Sequence, residues 1–206
     1  MLKSSTYKPV KERLSRDFFN RATLEVARDI LGMRLVRILD GQRLAGLIAE
    51  AEAYIGETDL GCHARAGRTP RTAVMYGPPG HAYVYFTYGM HWMLNFVTEA
   101  EEYPAAVLIR AIQPMEGLET IAARRAGRAK AIWTDGPGKL CQALGIDGQL
   151  NGVDLCTRDA DLFVEPGDSI SDQGVTIGPR VGLNNVPEPW KSKPWRFQVN
   201  SGSPLT

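Results

Sequence analysis

A chain of 206 residues, 44% of them apolar and 23% charged, can bury one sizeable core and is too apolar for wholesale disorder. Its formal charge of +1 hides segregation: Arg65, Arg68 and Arg71 lie in an acid-free stretch from His63 to Tyr76, further basic runs lie at 124–130 and 191–196, and acids collect between Asp154 and Asp172. No run approaches the roughly 18 apolar residues of a membrane helix, and Cys62, Cys141 and Cys156 are too scattered for a zinc site or a disulfide framework.

Residues 1–14 read as a flexible N-terminal arm and 15–206 as a single domain. No apolar run follows the early lysines, so the arm does not read as a signal peptide. Over 20–31, the shared face of Leu24, Ala27 and Leu31 predicts a helix capped by Asn20 and ended at Gly32. Residues 33–39 predict a strand, Asp40-Gly41 a hairpin turn and 44–54 the returning strand. Strict alternation puts Ile48, Glu50, Glu52 and Tyr54 on one face of it. Two buried, ionised glutamates there would repel, so one is expected to be solvated or paired. Residues 56–80 form a loop long enough to be functional or disordered. Residues 82–87 and 91–98 predict a second hairpin, turning at Tyr88-Gly89-Met90 with an exposed aromatic at its tip. A strand over 105–112 carries Arg110 near its end. A helix is expected over 115–125, and another opens at Gly136-Pro137-Gly138-Lys139 and runs to about Leu144. Short strands and turns fill the rest. This irregular order predicts an α+β domain: a curved antiparallel or mixed sheet with packed helices and a protruding β-hairpin.

One carboxylate, one histidine and four tyrosines fall close together in Glu52, His63, Tyr54, Tyr83, Tyr85 and Tyr88. That composition suits a hydrolytic site beside a flat aromatic slot, and a nucleobase is the flat ligand that fits. A basic face on a nearly neutral protein suits a polyanion. Arg65, Arg68, Arg71 and the helix start carrying Lys139 are candidate phosphate contacts. The glycine-rich stretches match neither GxxxxGK[ST] nor GxGxxG, and there is no HExxH, so no metal or organic cofactor is implied.

The segments Ala49-Glu50-Ala51-Glu52-Ala53-Tyr54, Tyr83-Val84-Tyr85-Phe86-Thr87-Tyr88-Gly89-Met90 and Val107-Leu108-Ile109-Arg110-Ala111 resemble the 3-methyladenine DNA glycosylase family of the mammalian alkyladenine type. So do Gly136-Pro137-Gly138-Lys139-Leu140-Cys141-Gln142-Ala143-Leu144 and Pro179-Arg180-Val181-Gly182, and the matches run in order from about Phe18 to Pro204. The short arm resembles that of bacterial members. The resemblance implies a monofunctional DNA glycosylase that flips and excises alkylated or deaminated purines, such as 3-methyladenine and hypoxanthine. Its partner would be double-stranded DNA containing a damaged purine. It would act without cofactor, as a monomer, in the cytoplasm at the nucleoid and not at a membrane.

By the same resemblance Glu52 is the general base, and Arg110 holds the attacking water and keeps Glu52 ionised. The backbone carbonyl of Val181 is the third water ligand. Tyr54, His63 and Tyr85 wall the base pocket, and Asn95, with Leu108 beside it, crowds the exocyclic amino group of guanine. Tyr88 is the intercalating wedge, broadened by Met90. His91 and Trp92 receive no role. Two alternatives stand beside this reading. One is a non-catalytic nucleic-acid-binding module with the same aromatic pocket, and the other is a metal-dependent hydrolase built on Glu50, Glu52 and His63.

Overall fold

The computed structural model describes residues 12–200. Two short helices open it, α1 (Arg16–Phe19) and α2 (Thr23–Asp29), where one helix from Asn20 was expected. Asn20 instead ends α1, donating its N–H to the Arg16 carbonyl, and Ala22 precedes α2 without a side-chain cap. The first turn of α2 finds its acceptor far away: the Thr23 N–H donates to Glu99 Oε1 at 3.2 Å. Arg13 packs over the Phe163 ring, and the Leu14 N–H donates to the Val164 carbonyl.

Strands β1 (Arg34–Leu39) and β2 (Gln42–Ile55) join across Asp40-Gly41, both with positive φ, as the turn chemistry requires. Strands β3 (Ala82–Thr87) and β4 (His91–Val97) form the second hairpin. Strand β5 (Ala105–Glu116) runs past its expected end at Ile112, so Met115 lies on the strand and α3 is only Leu118–Arg124. Helix α4 (Pro137–Leu144) starts with proline in its first turn, where a missing N–H costs nothing. Strands β6 (Leu162–Glu165), β7 (Val175–Gly178) and β8 (Arg196–Val199) complete one eight-stranded sheet, ordered β3-β4-β5-β2-β1-β6. Strand β8 pairs with the second half of β2 and carries β7 on its far side. Every pairing is antiparallel, so the domain is α+β with a purely antiparallel sheet.

One face of the sheet carries the main core. Phe19, Val26 and Ile30 pack with Ile48, Ala51, Ala53, Leu94, Phe96, Ile109, Leu140 and Leu144. Full burial of each large apolar side chain contributes about 1.5–3 kcal/mol. The opposite face is covered by the segment 56–81, ordered by two short 3₁₀ turns, His63–Ala66 and Ala73–Tyr76. A smaller cluster of Cys62, Ala64, Met75, Tyr76, Tyr83, Val97 and Ala106 forms beneath it. No helix among the described residues is long and apolar enough to cross a membrane.

Strict alternation fails in the middle of β2. Ile48 pairs with Ile112 but Glu50 with Ala111, which makes Ala49 an extra residue; Ala51 then pairs with Ile109, which makes Arg110 an extra residue on β5. The two bulges restore the register and shift the phase of both strands. Ile48 therefore joins the main core with Ala51 and Ala53, on the face opposite Glu50, Glu52 and Tyr54. Bulges re-aim side chains at sites of function, and this pair turns Glu50 and Arg110 toward each other.

Candidate active site

Glu52 has no exposed surface. Its Oε1 accepts the Val181 N–H at 2.7 Å and its Oε2 the Tyr54 hydroxyl at 2.9 Å. Arg110 Nε approaches Oε1 at 3.4 Å, but makes its closer bond, 2.8 Å, to Glu50 Oε1. Glu50 also accepts from Arg196 Nη1 at 3.1 Å. Both glutamates are thus buried and the repulsion is met by two arginines, one from β5 and one from β8. Burial pushes the Glu52 carboxyl above its ordinary value, against Arg110, the Val181 N–H and the Tyr54 hydroxyl, with Glu50 adding to the rise. Burial opposes the Arg110 charge, but Glu52 and Glu50 outweigh it and raise its pKa.

A cavity of about 330 Å³ opens beside this cluster. Tyr54, Arg110 and Val181 line it and separate it from Glu52; Cys62, His63, Met75, Tyr83, Tyr85, Asn95 and Leu108 form its other walls. Cross-strand register explains the layout. Glu52 on β2 pairs with Leu108 on β5, Leu108 with Asn95 on β4, and Asn95 with Tyr83 on β3. Neighbouring strands lie about 4.8 Å apart, so one row of four residues sets the carboxylate and the aromatic wall at opposite ends. Asn95 is buried and its Nδ2 donates to the Tyr83 carbonyl at 3.0 Å. His63 stacks edge-on against Tyr85 with ring centroids 4.5 Å apart, and its Nδ1 lies 3.1 Å from the Tyr83 hydroxyl. Burial, then Arg71 and Arg65, push the His63 imidazole down to about 4, so it is neutral near pH 7. The Cys62 thiol, raised to about 12 by burial, is inert. No group of three or more His, Cys, Asp or Glu residues suited to a metal ion occurs among the described residues.

A model of the methylpurine-DNA glycosylase (MPG) family matches residues 17–203. The chain belongs to that family. It is 50% identical over 185 residues to a protein of Methanocella arvoryzae, covering 89% of this chain and 90% of that one. It is 46% identical to a protein of Myxococcus xanthus (90% and 89% covered) and 44% identical to one of Carboxydothermus hydrogenoformans (91% and 95%). All three carry the name "Putative 3-methyladenine DNA glycosylase". As a methylpurine-DNA glycosylase family member the chain is a DNA N-glycosylase, and DNA is its substrate.

The remaining expected residues of this glycosylase are unevenly distributed around the cavity. Tyr88 and Met90 sit on the hairpin tip, 78% and 68% exposed, and Tyr88 also lines the cavity mouth. Arg71 lies over the Tyr85 ring and donates to the Phe86 carbonyl, which ties the 56–81 segment to the hairpin. Arg65 donates to the Leu60 carbonyl. Arg68 is paired with Glu102, and Lys139 with Asp135, both near the surface. Of these four basic residues, none lines the cavity.

Six residues beyond the expected site set also shape it. Tyr83 completes the aromatic wall; it was visible in the same motif as Tyr85. Arg180 and Asp59 form a fully buried ion pair at 2.6 Å, and Arg180 also bonds the Ala53 carbonyl, which fixes Val181 beside Glu52. Glu50 was read as a neighbour to be neutralised and as a ligand in the metal-hydrolase alternative, and its bond to Arg196 spans 146 positions. His91 and Trp92 have packing roles: a Cβ on Gly138 would fall 2.9 Å from the His91 ring and one on Gly148 2.7 Å from Trp92, so the two pack the tip end of the hairpin against the start of α4 and the turn at 148–150.

Proposed function

We propose that this glycosylase rotates a damaged purine nucleotide out of double-stranded DNA and hydrolyses its N-glycosidic bond, with alkylated and deaminated purines such as 3-methyladenine and hypoxanthine as substrates. The observation that carries the reading is the row Glu52, Leu108, Asn95 and Tyr83, with a buried carboxylate at one end of a base-sized cavity and aromatic rings at the other. The flipped base stacks among Tyr54, His63 and Tyr85. Such stacking contributes about 1–3 kcal/mol per base, and the positive charge of 3-methyladenine adds a cation–π attraction.

The chemistry then needs one water. It enters the layer between cavity and Glu52, held by Arg110 and the Val181 carbonyl, and its oxygen bonds to the sugar C1′ as the bond to the base breaks. The electron pair leaves with the base, and the water proton passes to Glu52. A cationic methylpurine is already a good leaving group. No lysine lines the cavity, so water and not an amine is the nucleophile, and the product is an intact abasic site. Asn95, tied to the Tyr83 carbonyl, cannot swing aside and so crowds an extra exocyclic amino group, with Leu108 packed next to it. Tyr88, flanked by Met90, fills the gap left in the duplex. Arg65, Arg68, Arg71 and Lys139 contact phosphates. The surface pairs of Arg68 and Lys139 are worth only about 0–1 kcal/mol, so a phosphate can replace their carboxylate partners. The proposal extends to a monomer acting in the cytoplasm on the nucleoid.

The direct test is product analysis. Duplexes carrying one 3-methyladenine or one hypoxanthine should yield free base and a strand that breaks only on alkali treatment. EDTA should leave the rate unchanged, and borohydride should trap no covalent adduct. Tight binding without base release would favour the non-catalytic binding module.

A further inference from the structure

We propose that Glu50 is a positioning residue for the hydrolysis, and that Glu50 and Arg196 together balance the charge around Arg110 and Glu52. This rests on the reading of Glu52 as general base. The geometry behind it is specific. Glu50 is 7% exposed, and its Oε1 accepts both Arg110 Nε and Arg196 Nη1. The Arg110 Nε is committed to Glu50, and its two Nη nitrogens bond to none of the described residues, while the residue lines the cavity. Glu50 thus fixes the plane of the guanidinium and leaves its fork for the water. The opposed bulges at Ala49 and Arg110 make this contact possible, since regular pairing would not turn the two residues together.

Arg196 approaches from the other edge of β2. Its backbone pairs with Glu52, its side chain reaches Glu50, and its Nε donates to the Pro179 carbonyl at 3.0 Å, two residues before Val181. A buried acid beside a general base would be a liability if position alone mattered; a glutamine would accept the same Nε–H. What the carboxylate adds is charge. With both acids ionised, two negative groups face two positive ones. The other titratable groups facing Glu52 are Tyr54 on its own strand and Tyr85 on β3; Arg180 lies over the Tyr54 ring, and its charge is matched by Asp59. Glu50 opposes and Arg110 favours the ionised form of Glu52. Removing the Glu50 charge should make Glu52 a weaker base, and removing the Arg196 charge should make it harder to ionise.

The test follows release of 3-methyladenine from methylated duplex DNA under single-turnover conditions across the acidic and neutral range. Glu50→Gln should move the acidic limb of the rate profile to lower pH, and Arg196→Gln should move it to higher pH, each by about one unit, the lower end expected for one nearby charge. A purely structural role would lower both plateaus without opposite displacements. Limbs that stay in place, or move in the same direction, overturn the proposal. Should Glu50→Gln not fold, Arg196→Gln, at a side chain that is 26% exposed, carries the test by its own predicted displacement. Glu52→Gln is assayed in parallel. Undiminished excision there refutes the general-base reading itself, whereas loss of excision with unmoved limbs in the other two variants refutes only the role of Glu50 and Arg196.

Discussion

Burial raises the pKa of the Glu52 carboxyl, and the Arg110 guanidinium, the Val181 N–H and the Tyr54 hydroxyl recover only part of that rise. A carboxyl whose folded pKa lies above its unfolded one contributes stability below the unfolded pKa and loses it as pH rises through the folded value. Ionised Glu52 therefore burdens the fold at neutral pH. Glu52→Gln should melt at a higher temperature than the wild type near neutrality, and the difference should close as the pH is lowered through the acidic range. Calorimetric melting across pH checks this, and a lower melting temperature at neutrality would contradict it. Asn95 illustrates the other use of a buried polar group. Asn95→Ser removes the fixed amide from the cavity wall, so single-turnover excision of guanine relative to hypoxanthine should rise by about 10- to 200-fold, the 1–3 kcal/mol that one misfitting group is worth in a pocket. An unchanged ratio would remove Asn95 from the specificity account. At this scale the sequence spoke through motifs. Glu52, Tyr54 and Tyr85 could be singled out because each sits in a recognisable segment, and His63 and Asn95 by their places between those segments, whereas the partners of Glu50 could not, since Arg110 and Arg196 reach it only after folding.

The hairpin β3–β4 is the element on which the proposed engagement of DNA depends. Its turn was legible from Tyr88-Gly89-Met90 between two alternating runs, and Thr87 does pair with His91. Tyr88 and Gly89 both have positive φ, 52° and 68°. A bulky side chain in that region is uncommon, and an exposed one there gains nothing from packing. Tyr88→Gly relieves the backbone and removes the ring. It should leave the melting temperature unchanged or slightly raised, within about 0.5 kcal/mol of wild-type stability. Flipping of a paired lesion, read with a fluorescent base reporter, should be weakened by up to a few kcal/mol, the scale of base unstacking. A lesion in a mismatch should suffer less, because its stack is already loosened. Equal losses on both substrates would mean that another residue is the wedge. The bulges in β2 and β5 were not legible. Alternation of Glu50, Glu52 and Tyr54 looked regular, and nothing local in Ala49 or Arg110 marks the extra residue. The expected helix over 20–31 failed for a similar reason, because the acceptor for the Thr23 N–H lies 76 positions away in Glu99.

Across the whole molecule, one buried contact joins the segment over the cavity to the segment that carries Val181. Asp59 and Arg180 are both fully buried, and Arg180 lies between the Tyr54 and Trp195 rings. Removing one partner leaves the other charge stranded, which costs about 3–5 kcal/mol. Asp59→Ala should therefore lower the melting temperature by roughly 6–20 °C at the 2–4 °C per kcal/mol expected of a chain this long. It should slow excision further by loosening the Val181 contact with Glu52. A melting temperature within a degree or two of the wild type would show that the pair is dispensable. The α+β class and the order of the strands along the chain were legible from periodicity and turn residues. The placement of β8 against β2, which brings Arg196 to the site, was not. The proposed hydrolysis depends on Glu52 above every other residue. Its most direct test is single-turnover release of 3-methyladenine by Glu52→Gln, measured beside lesion-DNA affinity. Excision should fall by at least about 100-fold, the lower end of what a general base supplies, while affinity stays within a few-fold of wild type. Excision near the wild-type rate would contradict the account.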